Sequence, residues 1–423
     1  MNPHCPRNEH ISRRALMKGA LATAAGATVM NWGGLTSTPA FAAEVAKKQK
    51  HCIMLWMNGG ASQFETFDMK VGRPTGGIFR EIDTDLPGYK VCELMPEIAK
   101  RIHKLAVIRS MRTSQIDHPG GIYLMHAGYA EAANVRFPEI GAIVAKYAGD
   151  PNSDLPNFVK ISAPSYTGAG FLGPKYQPFG LDQNGRLPTF SVSGMNPADE
   201  QRRHELRSFI EESYARDHQA EPTRMHQQAY EQARRLQNVR SVFDVESEWQ
   251  KYKEKYGDSA IGRKCLTARC LVEAGIAFVE AGHDNYDTHA DNFTGHKARV
   301  PVMEKAWAAL LDDLEERGLL QDTLVIWTGE IGRTPSINNR SGRDHYVRSW
   351  STALAGAGVK GGLVYGESDR DGHDVKDNPV TEGDFFATIY KALGIDPTIE
   401  NYAGIRPIPL APFGSKVVED LLA

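Results

Sequence analysis

Five short runs in this chain are apolar at neighbouring rather than alternate positions: 51–57 (HCIMLWM), 105–109 (LAVIR), 157–161 (NFVKI), 276–280 (IAFVE) and 323–327 (TLVIW). A strand with one wet face alternates; a strand covered on both faces does not, so these runs read as strands buried in the middle of a layered domain. Between them lie segments with helical spacing, at 119–129, 138–147, 261–274 and 300–316. The alternation predicts an α/β fold with a mostly parallel central sheet and helices on both faces. In such sheets ligands bind beyond the carboxyl ends of the strands, so the residues just after each run matter most.

Those residues are consistently polar. The run at 323–327 leads into TGEIGRT, which sets Glu330 and Arg333 at a strand end, and a Gly-, Asn- and Ser-rich loop then closes on Gly342-Arg343-Asp344-His345. The run at 276–280 opens into GHDNYDTHAD, with Asp284, Asp287, His289 and Asp291 in ten residues. The first run empties into Asn58-Gly59-Gly60, a turn whose N–H groups can approach an anion, with Glu65 and Asp68 just beyond. The second leads to Ser110, Thr113, Ser114, Asp117 and His118. Carboxylates and imidazoles in this density suit a divalent ion such as Zn²⁺, Mn²⁺ or Ca²⁺. A cluster of surface salt bridges beside core strands is the plainer alternative.

With 423 residues, the chain can bury a large core. A net charge of −3 gives no general attraction to nucleic acid or to an anionic membrane. Residues 12–18 (SRRALMK) resemble the twin-arginine export signal, a weakly apolar stretch comes next, and Ala40-Phe41-Ala42 has the small-x-small pattern of a cleavage site. The stretch is shorter than the ~20 residues of a spanning helix, so we expect a signal peptide at 1–42, no stable membrane span after cleavage, and a single exported domain at 43–423 in the periplasm or outside the cell. Beyond Cys5 the cysteines are Cys52, Cys92, Cys265 and Cys270, without metal-site spacing, and they read as buried thiols with a Cys52–Cys92 bridge as the alternative. The Gly-, Pro- and Tyr-rich segment 162–195 is too long for a structureless loop and reads as a cover or as small strands. Residues 197–256 are rich in Glu, Arg, Gln and Lys with helical spacing and read as an inserted helical segment.

The set of strand-end clusters resembles the alkaline phosphatase and sulfatase superfamily. More narrowly, NGGASQFETFD (58–68), YLMHAGY (123–129), YDTHADN (286–292) and GEIGRTP…GRDH (329–345) resemble the domain of unknown function 1501 family. DFFATIYKALGI (384–395) resembles the helix that closes the sulfatase core. The resemblance implies an alkaline phosphatase-like core, a metal held by Asp287, His289, Glu330 and His345, and export by the twin-arginine route. It also implies an anionic small-molecule or polysaccharide ester as substrate. Three departures stand out. Counting back ten from Gly128, where a sulfatase carries its Ser or Cys nucleophile, gives His118; Asn58 replaces a metal-binding Asp; and Glu330-Ile331 replaces an Asp followed by a His or Asn ligand.

These residues together read as a metal-dependent hydrolase of phosphate or sulfate esters. Arg333 would grip the anion, and His118 would serve as general base, nitrogen nucleophile or further ligand. Asn58, Glu65, Asp68, Ser114, Asp284 and Asp344 are additional candidates, Ser114 sharing a reserve-nucleophile role with Ser110 and Thr113. The alternative is a non-catalytic binding or assembly protein on a degenerate hydrolase fold.

Overall fold

The structure is a computed structural model that describes residues 49–163, 166–187, 197–217, 227, 230, 235 and 239–423. All of these lie in the unit Ala43–Ala423. The expected signal segment 1–42 lies outside the described residues, as do 188–196 and most of 218–238.

The central sheet contains β1 (His51–Met57), β2 (Leu105–Arg112), β3 (Phe158–Ile161), β4 (Phe179–Leu181), β5 (Phe278–His283), β6 (Thr323–Thr328), β7 (Trp350–Ala355), β8 (Leu363–Tyr365) and β9 (Val380–Thr381). Their order is β8-β2-β7-β6-β1-β5-β3-β4, with β9 beside β2. The sheet is mostly parallel, and all five apolar runs lie in it. β7 is the exception, antiparallel to both β2 and β6. Its sequence, WSTALA, is small and partly polar, so no apolar run announces it, although every residue in it is buried.

Period-two geometry sends alternate β1 side chains to opposite faces. Ile53, Leu55 and Met57 join one core layer, with Cys265, Leu266, Met303 and Trp307. Cys52, Met54 and Trp56 join the other, with Ile122, Met125, Ile143 and Phe386. The first layer is covered by α4 (Glu246–Tyr256), α5 (Ala260–Glu273) and α6 (Asn292–Glu316), the second by α1 (His118–Ala127), α2 (Ile140–Tyr147) and α7 (Glu382–Ala392). A capping box starts α7: Thr381 Oγ1 accepts from the Asp384 N–H at 3.2 Å, and Asp384 Oδ2 accepts from the Thr381 N–H at 3.1 Å. Helix α3 (Pro197–Asp217) falls in the expected helical segment, whereas α4 buries Trp249 and Tyr256 and belongs to the core. Among the described residues Cys52, Cys92, Cys265 and Cys270 are free; Cys52 and Cys92 are both buried and do not bridge. Among the described residues no helix is long and apolar enough to cross a membrane.

Two buried ionic features shape this scaffold. Lys160, opposite Glu280 in the β3–β5 register, places its Nζ 3.0 Å from Glu280 Oε2 and 2.6 Å from Glu139 Oε2. Glu139 Oε1 also accepts the N–H groups of Tyr166, Thr167 and Gly168 at 3.0, 3.1 and 2.9 Å, which pins the start of the segment expected to be a cover. Burial pushes the Glu139 carboxyl up, but the Lys160 charge outweighs it and brings the group down to about 2. The segment then makes two short 3₁₀ turns and contributes β4 to the sheet edge.

Glu304 behaves oppositely. Buried on α6, it accepts the N–H groups of Glu97 and Ile98, both at 2.9 Å, yet burial prevails and pushes its carboxyl up to about 7. Between its ordinary value of 4.5 and about 7, the unfolded chain has lost this proton while the folded chain keeps it. Stability therefore falls as pH rises through that window, by about 3 kcal/mol. Glu304→Gln keeps the acceptor and removes the charge. Its urea midpoint is expected to change less between pH 5 and pH 8 than that of the wild type.

Candidate metal centre

The site forms at the carboxyl edge of the three middle strands. β1 pairs in parallel with β5 and β6, and the registers Met57↔His283 and Trp56↔Thr328 bring all three strand ends to one level. The first turn is locked there by backbone bonds, Asn58 N–H to His283 O at 2.9 Å and Tyr286 N–H to Asn58 O at 3.0 Å. Gly59 has φ +103°, and a Cβ on it would stand 2.4 Å from the Asp287 nitrogen, so only glycine lets the two loops touch. His118 enters as the first residue of α1, whose N-cap, Asp117, accepts from the Gly120 N–H. His345 arrives on a two-residue antiparallel ladder opposite Arg333.

Three imidazoles meet here, and their tautomers follow from their partners. His345 Nδ1 lies 2.8 Å from the Ile116 carbonyl, which can only accept, so Nδ1 carries the proton. His289 Nδ1 donates to Asp344 Oδ1 at 2.6 Å. His118 Nδ1 donates to Glu330 Oε1 at 2.8 Å, an oxygen that also accepts from the Gly59 N–H at 2.8 Å. In the neutral rings all three Nε2 atoms are then bare lone pairs.

Those lone pairs converge on one carboxylate. His289 Nε2 and His345 Nε2 stand 3.0 Å apart, and they lie 3.1 and 3.3 Å from Asp287 Oδ1. His118 Nε2 lies 3.2 Å from Asp287 Oδ2. Ligand atoms of His118, Asp287 and His345 all fall within 4.8 Å of one another. Two acceptors facing each other at 3.0 Å beside a carboxylate repel unless a proton or a metal ion stands between them. Tetrahedral ligands about 2.0–2.1 Å from a zinc ion lie about 3.3 Å from each other, close to these spacings. The donor set fits a divalent ion.

The electrostatics agree. Burial pushes the Asp287 carboxyl up, but the Arg333 hydrogen bond and charge, with those of His118 and His289, bring it down to about 2. The Glu330 hydrogen bond raises the His118 imidazole against the effect of burial, and Asp287 adds to it. Burial lowers His345, helped by Arg333 and His118. Hydrogen bonding to His289 lowers the Asp344 carboxyl. The Asp287 and His289 side chains are 40 % and 36 % exposed, so the cluster opens to solvent on one side.

Four of the residues singled out in the sequence, His118, Asp287, His289 and His345, thus come together. Arg333 does not take the expected position. It is fully buried, with Nη2 2.8 Å from Asp287 Oδ1 and its other N–H groups on the carbonyls of Gly59, Gly60 and Arg343, so no edge is left to grip an anion. Glu330 is also fully buried and sits behind His118 rather than among the converging atoms. Asp344 holds His289 from behind.

The remaining candidates stand apart from the converging atoms. Glu65 is buried against Arg343, with Oε1 2.9 Å from Nη2. Asp68 pairs with Lys70 at 3.0 Å and accepts from Ser368. Ser114 donates to Glu382 at 2.9 Å, and Asp284 accepts from Asn58 Nδ2 at 3.0 Å. Sequence reasoning missed Asn338, which donates to the His289 carbonyl at 3.0 Å and accepts the Arg340 and Gly342 N–H groups at 3.0 and 2.9 Å. The only signal for it was the Asn-rich composition of its loop.

The chain is similar to several solved structures. One is the PsFucS1 sulfatase from Pseudoalteromonas sp., at 13% identity, covering 84% of this chain and 72% of that one, with a TM-score of 0.39. Another is the phosphonate monoester hydrolase SpPMH from Silicibacter pomeroyi, at 10% identity, covering 82% and 73%, with a TM-score of 0.38. A third is a protein in the alkaline phosphatase superfamily from Vibrio parahaemolyticus, at 12% identity, covering 82% and 67%, with a TM-score of 0.35. No curated protein matches the chain. The family described as "Protein of unknown function (DUF1501)" matches residues 49–422, and the chain belongs to that family.

Proposed function

We propose that His118, Asp287, His289 and His345 hold one divalent metal ion, and that the chain is a metal-dependent hydrolase of an anionic ester. The observation that carries the reading is the set of three imidazoles, each with Nδ1 committed to an acceptor and Nε2 turned onto Asp287. This is the outer-shell pattern of histidine metal sites, in which a carboxylate or carbonyl fixes the tautomer and raises the basicity of the ligating nitrogen. Three nitrogens and one carboxylate suit Zn²⁺ or Mn²⁺ better than Ca²⁺, which takes oxygen ligands.

The protein groups divide the work accordingly. The three Nε2 atoms and Asp287 bind; Glu330, Asp344 and the Ile116 carbonyl orient; Arg333 fixes Asp287 by a hydrogen bond at 2.8 Å and lowers its carboxyl. A divalent ion held there would supply Lewis-acid chemistry, polarising an ester oxygen and lowering the pKa of water. The phosphate or sulfate class of ester rests on the motif resemblance. Export by the twin-arginine route rests on Arg13 and Arg14; Arg13→Lys with Arg14→Lys is expected to leave the chain in the cytoplasmic fraction, and unchanged export would sink that proposal.

Activity is tested with Zn²⁺- and Mn²⁺-loaded protein on 4-nitrophenyl phosphate and 4-nitrocatechol sulfate. Turnover that disappears in His289→Ala supports the hydrolase. Metal-loaded protein inert toward both esters favours instead a metal-binding protein without this activity, a reading that the burial of Arg333 also supports.

The orienting role of Glu330 has its own test. Glu330→Gln keeps an acceptor for the His118 and Gly59 N–H groups but removes the charge behind the imidazole. Metal affinity, measured against a chromophoric chelator, is expected to fall about 10–100-fold with an unchanged circular dichroism spectrum. Wild-type affinity in this variant would show that Glu330 does not tune the site.

A further inference from the structure

Arg343 immediately precedes Asp344 and His345 on the loop that delivers them, and it is fully buried. Each nitrogen of its guanidinium is engaged. Nε and Nη2 donate to Glu65 Oε1 at 3.2 and 2.9 Å, and Nη2 also donates to the Thr75 carbonyl at 2.9 Å. Nη1 donates to the carbonyls of Thr334 and Pro335 at 3.0 and 2.6 Å. The main chain is bound as well. Its N–H donates at 3.0 Å to the carbonyl of Thr288, the residue between Asp287 and His289, and its carbonyl accepts from Arg333 Nη1 at 3.2 Å. Glu65 is buried too, at the end of the 3₁₀ turn Gln63–Glu65, so neither side chain of the pair reaches solvent.

We infer that Glu65 and Arg343 are a positioning pair, which fixes the spacing of the metal-binding nitrogens and thereby the preference for Zn²⁺ over Mn²⁺. The inference rests on the metal-centre reading above. Stability alone does not account for the pair, because apolar residues of similar volume often match or exceed a buried ion pair. What the pair does is tie three stretches of chain to one point: the turn at Glu65, the loop 334–345 and, through Thr288, the loop carrying Asp287 and His289. The two ligand loops then touch along their backbones. Asn338 Nδ2 donates to the His289 carbonyl at 3.0 Å, and a Cβ on Gly342 would run into that same carbonyl. With both loops held, His289 Nε2 and His345 Nε2 stand 3.0 Å apart.

Spacing matters because selectivity among divalent ions comes from geometry and ligand type rather than from raw affinity. Zn²⁺ takes four close ligands in a tetrahedron, whereas Mn²⁺ suits an octahedral set richer in oxygen. Nitrogens held near tetrahedral spacing favour Zn²⁺. A loop free to shift lets them spread and lets water join the ion, which costs Zn²⁺ more than Mn²⁺.

The test compares Glu65→Asp, Glu65→Gln and Arg343→Lys with the wild type, each checked for folding by circular dichroism. Chelator competition gives the Zn²⁺ and Mn²⁺ affinities, and the visible spectrum of the Co²⁺-loaded protein reports coordination. Glu65→Asp keeps the charge but withdraws the oxygen from Arg343; Glu65→Gln loses the charge but keeps an acceptor at the right length. Arg343→Lys keeps the charge but cannot span the same acceptors. Glu65→Asp and Arg343→Lys are expected to lose Zn²⁺ affinity about 10–100-fold, with Mn²⁺ affected less and the bands of four-coordinate Co²⁺ weakened. Glu65→Gln is expected to stay close to the wild type in both readouts, even where its urea midpoint falls. Leu314→Ala, buried near the far end of α6, should lower the urea midpoint and leave the Zn²⁺/Mn²⁺ ratio and the Co²⁺ spectrum unchanged. A wild type that binds these ions while Glu65→Asp and Arg343→Lys keep its ratio and spectrum would overturn the positioning role alone. A Leu314→Ala variant that shifts both readouts as far as they do would also overturn it. A wild type that binds none of the ions would instead sink the metal-centre reading, and this inference with it.

Discussion

Arg333→Ala is expected to destabilise the fold by about 3–5 kcal/mol, because it leaves the carbonyls of Gly59, Gly60 and Arg343 without a donor at about 1–3 kcal/mol each. The guanidinium is fully buried, and the variant loses its bond to Asp287 as well as donors to the carbonyls of Gly59, Gly60 and Arg343. Those carbonyls are buried polar groups left without a partner. Metal affinity is expected to fall as well, because the Arg333 hydrogen bond holds Asp287 in place. Arg333→Lys keeps the charge but cannot span the same four acceptors, and it should recover only part of the loss. Urea denaturation of the metal-free proteins measures the first effect, and chelator competition the second. A near-neutral Arg333→Ala would mean that this arginine is not the keystone beneath the site.

The second large effect is expected from His289→Ala combined with His345→Ala. It removes two of the three converging nitrogens, which stand 3.0 Å apart, and leaves His118 and Asp287. A two-ligand remnant does not hold a borderline divalent ion against water, so bound metal and any ester hydrolysis should fall below detection. Stability without metal should stay level or rise, because facing lone pairs are removed. That combination, lost metal with retained fold, separates a metal centre from a salt-bridge cluster. In a salt-bridge cluster the same variant would lose stability and have no metal to lose.

Much of the scaffold was legible because double-sided burial leaves an uninterrupted apolar run, and all five runs are strands of the sheet. β7 was not, since its Ser, Thr and Ala residues are buried by neighbouring strands rather than by their own hydrophobicity. Asp287, His289 and His345 were legible as strand-end clusters that a parallel sheet brings to one edge. Arg333 and Glu330 were misplaced for a common reason. Sequence shows that they come after a strand, but whether a side chain faces solvent or the loop beneath depends on partners far along the chain, here Gly59, Asp287 and His118. His118 was singled out in the sequence, but the choice among base, nucleophile and ligand that the sequence left open turns on the direction of its ring, fixed by Glu330 at 2.8 Å.

The central claim is that one divalent ion sits among His118, Asp287, His289 and His345. Elemental analysis of chelator-treated protein re-equilibrated with Zn²⁺ or Mn²⁺, alongside the His289→Ala, His345→Ala variant, tests it most directly. One ion per chain in the wild type and none in the variant is the predicted result. A wild type that takes up no ion and gains no thermal stability from either would contradict it.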